Sequence, residues 1–418
     1  MVKKYLLFTF FLLILFLSER YNANGQTHKY GFEIKEGKDR ISLPFKTYSN
    51  LIVVDVLFQG VIPLKFIVDT GVTNTVLIDK IYSDVLDIVP DRKISLIGAA
   101  GGKEVEAYIV NSVTINMQGI DGTNIPLLVL KEDYLKLQET LGVKIHGILG
   151  YDLFKKFIVK VDYVNETLTF YNPSKFRKKL FWYHSIEMKV ENTKPYIFSP
   201  VVLKDSTTVL SKLLIDTGAS QGLMLHQNSD DKISIPEKNI RDVLGAGIAG
   251  TIEGHVGRVE SIQIGKHVLT DVVSRFPDKG TYNDVIEVTE RQGTIGGEIL
   301  RRFHLYFDYH NEKLYFRKNK NFREDFDYDM SGMSIIAKGE IFLSPYYEIE
   351  SVRKNSPAYE AGIRPKDILI SLNGIKSTDL NLSSINKLLS KKPGKKVRVK
   401  VKRNDEVISA VFVLEAAI

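Results

Sequence analysis

Phe66-Ile67-Val68-Asp69-Thr70-Gly71 and Leu213-Leu214-Ile215-Asp216-Thr217-Gly218 are two copies of one pattern, a short apolar run that delivers the triplet Asp-Thr-Gly. One triplet says little, because a chain of this length holds one by chance at a rate of roughly 10%. Two in matched settings need a common cause. The triplets stand 147 residues apart, and the same shift aligns much of the surrounding sequence.

Three further landmarks coincide under that shift or under one residue less. Gly98-Ala99-Ala100-Gly101-Gly102 falls on Gly245-Ala246-Gly247-Ile248-Ala249-Gly250, and Gly147-Ile148-Leu149-Gly150 falls on Gly293-Thr294-Ile295-Gly296. The segments Phe157 to Phe170 and Phe303 to Phe316 share Asp162/Asp308, Tyr163/Tyr309, Asn165/Asn311, Glu166/Glu312 and Leu168/Leu314. Each reads as strand, Asn-Glu turn, strand, which is a β-hairpin. The chain therefore holds one β-rich unit twice, with one triplet per unit.

Composition narrows the chemistry. The 418 residues allow two or three domains, and 44% apolar with 26% charged residues is ordinary for a globular protein. No cysteine is present, which excludes disulfides, thiol catalysis and Cys-ligated zinc or iron–sulfur sites. His304 and His310 lack metal-ligand company, so no metal and no cofactor is expected. Lys3 and Lys4 precede the apolar run Tyr5 to Leu17, and Ala23-Asn24-Gly25 supplies small residues before Gln26. That is the pattern of a secretion signal, too short for a comfortable membrane span. Export without cysteine points to a bacterial envelope, periplasmic or secreted. An uncleaved anchor is the other reading of the same segment. The formal charge of +7 is concentrated between Lys391 and Arg403, where basic residues alternate with Val397, Val399 and Val401. This alternation reads as the solvated face of a strand, and nucleic acid is not an expected partner.

The strands expected in the first unit are Leu51 to Phe58, Leu64 to Val68, Val105 to Ile115 and Pro126 to Leu130. Lys131 to Leu141 has the apolar period of a helix. Phe181-Trp182-Tyr183-His184 reads as core or inter-unit packing. Organisation follows as leader 1–25, lead-in 26–45, first lobe 46–172, connector 173–185, second lobe 186–318, linker 319–330 and a final domain 331–416.

The repeat resembles the pepsin and retropepsin superfamily of aspartyl proteases, in its single-chain, two-lobed bacterial form, over about residues 45–320. The resemblance implies a mainly β fold of two pseudo-symmetric lobes and a catalytic pair, Asp69 and Asp216. Thr70 and Thr217 would exchange hydroxyl hydrogen bonds across the pair, while Gly71 and Gly218 would let the two loops approach. The glycines Gly98, Gly101, Gly102 and Gly245, Gly247, Gly250 would lie in flaps over an extended peptide substrate. Two carboxylates about 3 Å apart hold one proton between them over a wide pH range. One then activates water, while the other protonates the scissile carbonyl. Pepsin-type enzymes place Ser or Thr after the triplet, where this chain has Val72 and Ala219. Without that hydroxyl the ionised form is stabilised less, and a mildly acidic to near-neutral optimum is expected.

Ser356-Pro357-Ala358-Tyr359-Glu360-Ala361-Gly362 with Asp367-Ile368-Leu369-Ile370-Ser371-Leu372-Asn373-Gly374 resembles the core of a PDZ domain, an α+β fold. The usual glycine is replaced by Lys366. Gly332, Met333, Ser334 and Ile335 resemble the loop that captures a peptide's C-terminal carboxylate, with Leu380 to Leu389 as the flanking helix. A peptide or protein substrate and a C-terminal peptide ligand are the expected partners of a monomer. The competing class is a non-catalytic envelope protein that cradles peptides. Gly245 to Gly250 also satisfies GxGxxG, but no helical period follows it. Gly218-Ala219-Ser220-Gln221-Gly222 satisfies GxSxG without the alternating βα setting that a serine hydrolase needs.

Overall fold

The computed structural model describes residues 30–98, 104–177, 180–248, 250–339 and 345–418. The expected leader, and Gly101 and Gly102 of the first flap, lie outside the described residues. Gly31–Ile418 forms one compact unit.

Apolar strands build each lobe in the same order. In the first, Leu51–Phe58 pairs antiparallel with Ile62–Val68, which runs straight into Asp69. Gly147–Leu149 lies parallel on its other side, with Leu149 level with Val68. In the second, Lys194–Val202 and Thr208–Ile215 pair antiparallel, and Gly293–Ile295 lies parallel, with Ile295 level with Ile215. Both central strands are covered on both faces, so they read as continuous apolar runs. Long hairpins complete the lobes: Val105–Met117 with Ile120–Leu130, and Asn239–Gly247 with Gly250–Ile264.

The repeated hairpins join the lobes. Ile158–Asp162 pairs with Thr167–Tyr171, and Phe303–Asp308 pairs with Lys313–Lys318. The two hairpins then pair with each other, Val161 opposite Leu305, to form one sheet from both lobes. Asp162 accepts the Asn165 amide at 3.2 Å, and Asp308 accepts the Asn311 amide at 3.1 Å. Glu166 and Glu312 take the left-handed conformation that such tight turns need. A single buried cluster runs from Phe66 and Val68 through Phe154 and Phe307 to Leu213 and Ile215.

Two sequence expectations need correction. The helix over Lys131 to Leu141 is confined to Leu137–Leu141. Asp133 accepts the amides of Leu135 and Lys136, and Lys136 has φ 47°, so a turn breaks the helical run. In the connector, Tyr183 packs on Tyr306 with ring centroids 5.0 Å apart, and His184 packs on His267 at 5.3 Å. Phe181 and Trp182, however, are each 80% exposed. They occupy the turn before the strand His184–Glu187.

The last domain is a sheet ordered Met333–Lys338, Tyr346–Val352, Ile368–Leu372, Lys396–Arg403 and Glu406–Val413. Its helix Leu382–Leu389 is capped by Asn381, which accepts the Ser384 amide at 2.8 Å. Leu382, Ile385 and Leu389 bury one face. Lys366 itself takes φ 72°, so the turn is kept although glycine is missing.

Candidate active site

Asp69 and Asp216 stand at the ends of equivalent central strands, and the loops that follow interlock. Thr70 donates its hydroxyl to the Ile215 carbonyl at 2.7 Å, and Thr217 donates its hydroxyl to the Val68 carbonyl at 2.8 Å. The amide of each threonine donates to the other's hydroxyl, at 3.1 and 3.0 Å. Both threonines are fully buried, so every one of these groups would otherwise lack a partner. The strands Gly147–Leu149 and Gly293–Ile295 support the loops from behind. Leu149 accepts the Asp69 amide and Ile295 accepts the Asp216 amide, each at 2.9 Å.

The glycines set how near the carboxylates come. The Gly71 amide donates to Asp69 Oδ1 at 2.6 Å, and the Gly218 amide donates to Asp216 Oδ1 at 2.9 Å. A Cβ on Gly71 would lie 2.8 Å from Asp216 Oδ2, and one on Gly218 would press still harder on Asp69. Any side chain there would drive the carboxylates apart.

Burial is the main electrostatic influence on the pair. It pushes the Asp69 carboxyl well above the usual range, and the neighbouring Asp216 charge pushes it further. Burial also raises Asp216, while hydrogen bonds from Asp69 and the Gly218 amide pull it back. Both carboxyls are raised, so the pair holds one proton between them beyond the usual carboxylate range.

A family model described as an aspartyl protease matches residues 54–153 and 200–297, one segment around each triplet. A second, described as a PDZ domain, matches residues 348–403. The chain carries two aspartyl protease segments and a PDZ domain. Basic 7S globulin from soybean is a similar solved structure at 10% identity. The match covers 67% of this chain and 95% of that one, with a TM-score of 0.39. No curated protein matches.

Around Asp69 and Asp216, the structure supplies residues that the sequence did not single out. Asn50 Nδ2 reaches from the first lobe to the Ser220 carbonyl and to Glu298, each at 2.9 Å. At the equivalent place, the Thr193 and Thr73 hydroxyls meet at 2.8 Å. Lys194 and Arg291 act on the dyad from the second lobe and oppose the rise of Asp216. Their only sequence signal was position within the repeat, in stretches where the two units differ in residue type.

The glycines expected in the second flap lie in the hairpin that pairs Gly247 with Gly250. Ile248 at its tip packs on an apolar cluster of the opposite lobe that includes Leu51, Ile145 and Ile148. Gly98 follows Arg92–Leu96, which pairs with Val105–Met117. The GxGxxG reading fails because its glycines turn a hairpin, and the GxSxG serine sits in the dyad loop. Among the described residues, no group of His, Asp or Glu gathers to hold a metal ion.

The PDZ loop is already occupied. Asp329 accepts the amides of Ser331 at 3.1 Å and Gly332 at 2.6 Å, and Ser331 Oγ accepts the Met333 amide at 3.1 Å. Ser334 and Ile335 continue into the strand Met333–Lys338. Two of the amides that the resemblance assigns to a ligand carboxylate, those of Gly332 and Met333, are thus committed within the chain. Helix Leu137–Leu141 of the first lobe packs on that same edge strand, and Gln138 Nε2 donates to the Gly339 carbonyl at 3.2 Å.

Proposed function

We propose that this protein is an aspartic endopeptidase, with Asp69 and Asp216 as its catalytic pair. One observation carries the reading: a buried Asp69 and a half-buried Asp216, each held by the amide of its own glycine, on loops locked by the Thr70–Thr217 exchange. The ionised member of the pair takes a proton from a water placed between the carboxylates. The protonated member donates its proton to the carbonyl of the scissile bond, and the water oxygen attacks the carbonyl carbon. The tetrahedral intermediate collapses as the amine leaves with a proton from the pair, with no acyl-enzyme. Val68 and Ile215, the apolar residues before each aspartate, are buried, and this low-dielectric backing strengthens these electrostatic effects.

Substrate would lie extended between the lobes, under the hairpins ending at Gly98 and Gly247. Both triplets come from one chain, which supports a monomer. The basic and apolar leader supports export to a bacterial envelope, and among the described residues no helix is long and apolar enough to cross a membrane. Lobes at 46–172 and 186–318 and a PDZ domain at 331–416 are the proposed division.

The test is proteolysis of an unstructured peptide mixture by the purified chain between pH 3 and 7.5, with and without pepstatin, read by mass spectrometry. Asp69→Asn and Asp216→Asn should each lower the rate by at least about 10²-fold. Cleavage that persists in both variants would rule the mechanism out.

A further inference from the structure

The two lobes repeat the backbone around the dyad but reverse its chemistry at three positions. Backbone pairing fixes the equivalences. Val53 is opposite Ile67 and Tyr196 is opposite Leu214. Two residues along those registers, Leu51 comes level with Asp69 and Lys194 comes level with Asp216. His146 accepts the Lys65 amide at 3.0 Å through Nδ1, as Gln292 accepts the Lys212 amide at 2.7 Å. Their neighbours Ile145 and Arg291 are therefore equivalent. The Ile78 amide donates to His146 O and the His226 amide donates to Gln292 O, both at 2.8 Å, which pairs Ile78 with His226.

In the first lobe these positions are Leu51, Ile78 and Ile145, all buried in one apolar cluster. In the second they are Lys194, His226 and Arg291. Arg291 is 6% exposed, and its Nε has no hydrogen-bond partner. Neither Arg291 nor Lys194 forms an ion pair among the described residues. His226 is fully buried beneath Tyr282, with ring centroids 4.5 Å apart, and neither ring nitrogen has a partner. A buried guanidinium without a counter-ion is costly. The anionic groups acting on Lys194 are Asp216 and Asp69, and Arg291 repels it. The dyad keeps a proton in its working form, so it neutralises at most one of these cations.

We propose that the second lobe forms a subsite for an acidic side chain of the substrate, with Lys194 and Arg291 as its counter-ions. The first lobe would take an apolar side chain on the other side of the scissile bond. Ile248 shows that an apolar group from the opposite lobe reaches the first-lobe cluster. The guanidinium would offer a carboxylate two parallel donors and the ammonium a third. A substrate of the form apolar–acidic across the cut then matches both walls, and an acidic residue against Leu51 and Ile145 is excluded by desolvation. This assignment rests on the reading of the dyad cleft as the substrate site.

The experiment uses the purified chain with Asp69→Asn, so that peptides bind without being consumed. Unstructured peptide pairs, identical except for Glu or Gln beside a Leu, are titrated by calorimetry. The Glu member is expected to bind about 10-fold more tightly, with the preference removed by Arg291→Met or Lys194→Met and partly kept by Arg291→Lys. Lys194 is the less buried of the two, so Lys194→Met decides the matter if Arg291→Met does not fold. Equal affinity for Glu and Gln, or a preference that survives both Met variants, overturns the proposal. In the unchanged chain, cleavage products should carry Asp or Glu on one fixed side of the cut. Selective binding without hydrolysis would defeat the protease reading and leave the anion subsite standing. Dyad-dependent hydrolysis with no acidic preference would do the reverse.

Discussion

Thr70 and Thr217 hold each other across the lobes, each amide donating to the other's hydroxyl at 3.1 and 3.0 Å. Each hydroxyl also donates back to the carbonyl that precedes the partner's aspartate. The position of the carboxylates therefore depends on both lobes at once.

Thr70→Val should be destabilising out of proportion to its size. It leaves the Ile215 carbonyl and the Thr217 amide buried without partners, at about 1–3 kcal/mol each. Urea unfolding should show a clear loss of stability, with Thr70→Ser close to the unchanged chain. Equal stability of Val and Ser would mean that the grip contributes nothing.

The pH dependence of activity should follow the raised dyad. Burial raises both carboxyls, so the singly protonated pair persists to higher pH than for ordinary carboxylates. Rate against pH for an unstructured peptide should peak in the mildly acidic to near-neutral range. A maximum below about pH 3, as for an unburied or strongly hydrogen-bonded dyad, would contradict this.

Stability should show the same shifts with a definite sign. A carboxyl raised in the folded state binds more protons there than in the unfolded chain. Folding is therefore opposed as pH rises from the ordinary carboxylate range through the folded value. Below that window the burden is absent. Asp69→Asn carries no such charge, so its melting temperature should exceed that of the unchanged chain at neutral pH. The difference should shrink as the buffer is made acidic. A constant difference across pH would separate the effect from ionisation.

In the PDZ domain, Asp329 takes the amides that a peptide carboxylate would need. Its carboxyl is raised by burial. Asp329→Asn should bind a peptide with a free C-terminal carboxylate more tightly than the unchanged chain does, as fluorescence anisotropy would show. Identical affinities would mean that Asp329 does not compete with the ligand.

Lys366 occupies a left-handed position where the PDZ resemblance leads one to expect glycine. That conformation costs an L-residue about 1–2 kcal/mol, part of which glycine returns as chain entropy. Lys366→Gly should raise stability by roughly 0.5–1 kcal/mol, measurable as a higher urea midpoint at unchanged slope.

Much was legible because it is local. The apolar run before each Asp-Thr-Gly, the Asn-Glu turns at Asn165 and Asn311, and Ser356-Pro357-Ala358 each dictate backbone within a few residues. The strand Leu51–Phe58 has the bounds that its sequence predicts. Lys131 to Leu141 misled because its apolar period survives while Asp133 competes for the backbone amides. Phe181 and Trp182 misled because aromatic content says nothing about which way a turn faces.

The sequence by itself determined that one β unit occurs twice, that each copy ends a buried strand in a carboxylate, and that a PDZ-like segment follows. These are matters of pattern and spacing, and pattern is what short-range sterics and periodicity write into a chain. Only the tertiary structure decided that Lys194 and Arg291 hold the places in the second lobe that Leu51 and Ile145 hold in the first. Only it showed that Asp329 accepts the Ser331 and Gly332 amides and that the first lobe's short helix lies along the PDZ edge strand. The physical reason is distance along the chain: Lys194 and Arg291 are brought to Asp216 by strand pairings on opposite sides of Thr208–Ile215. No local signal in either segment names its partner.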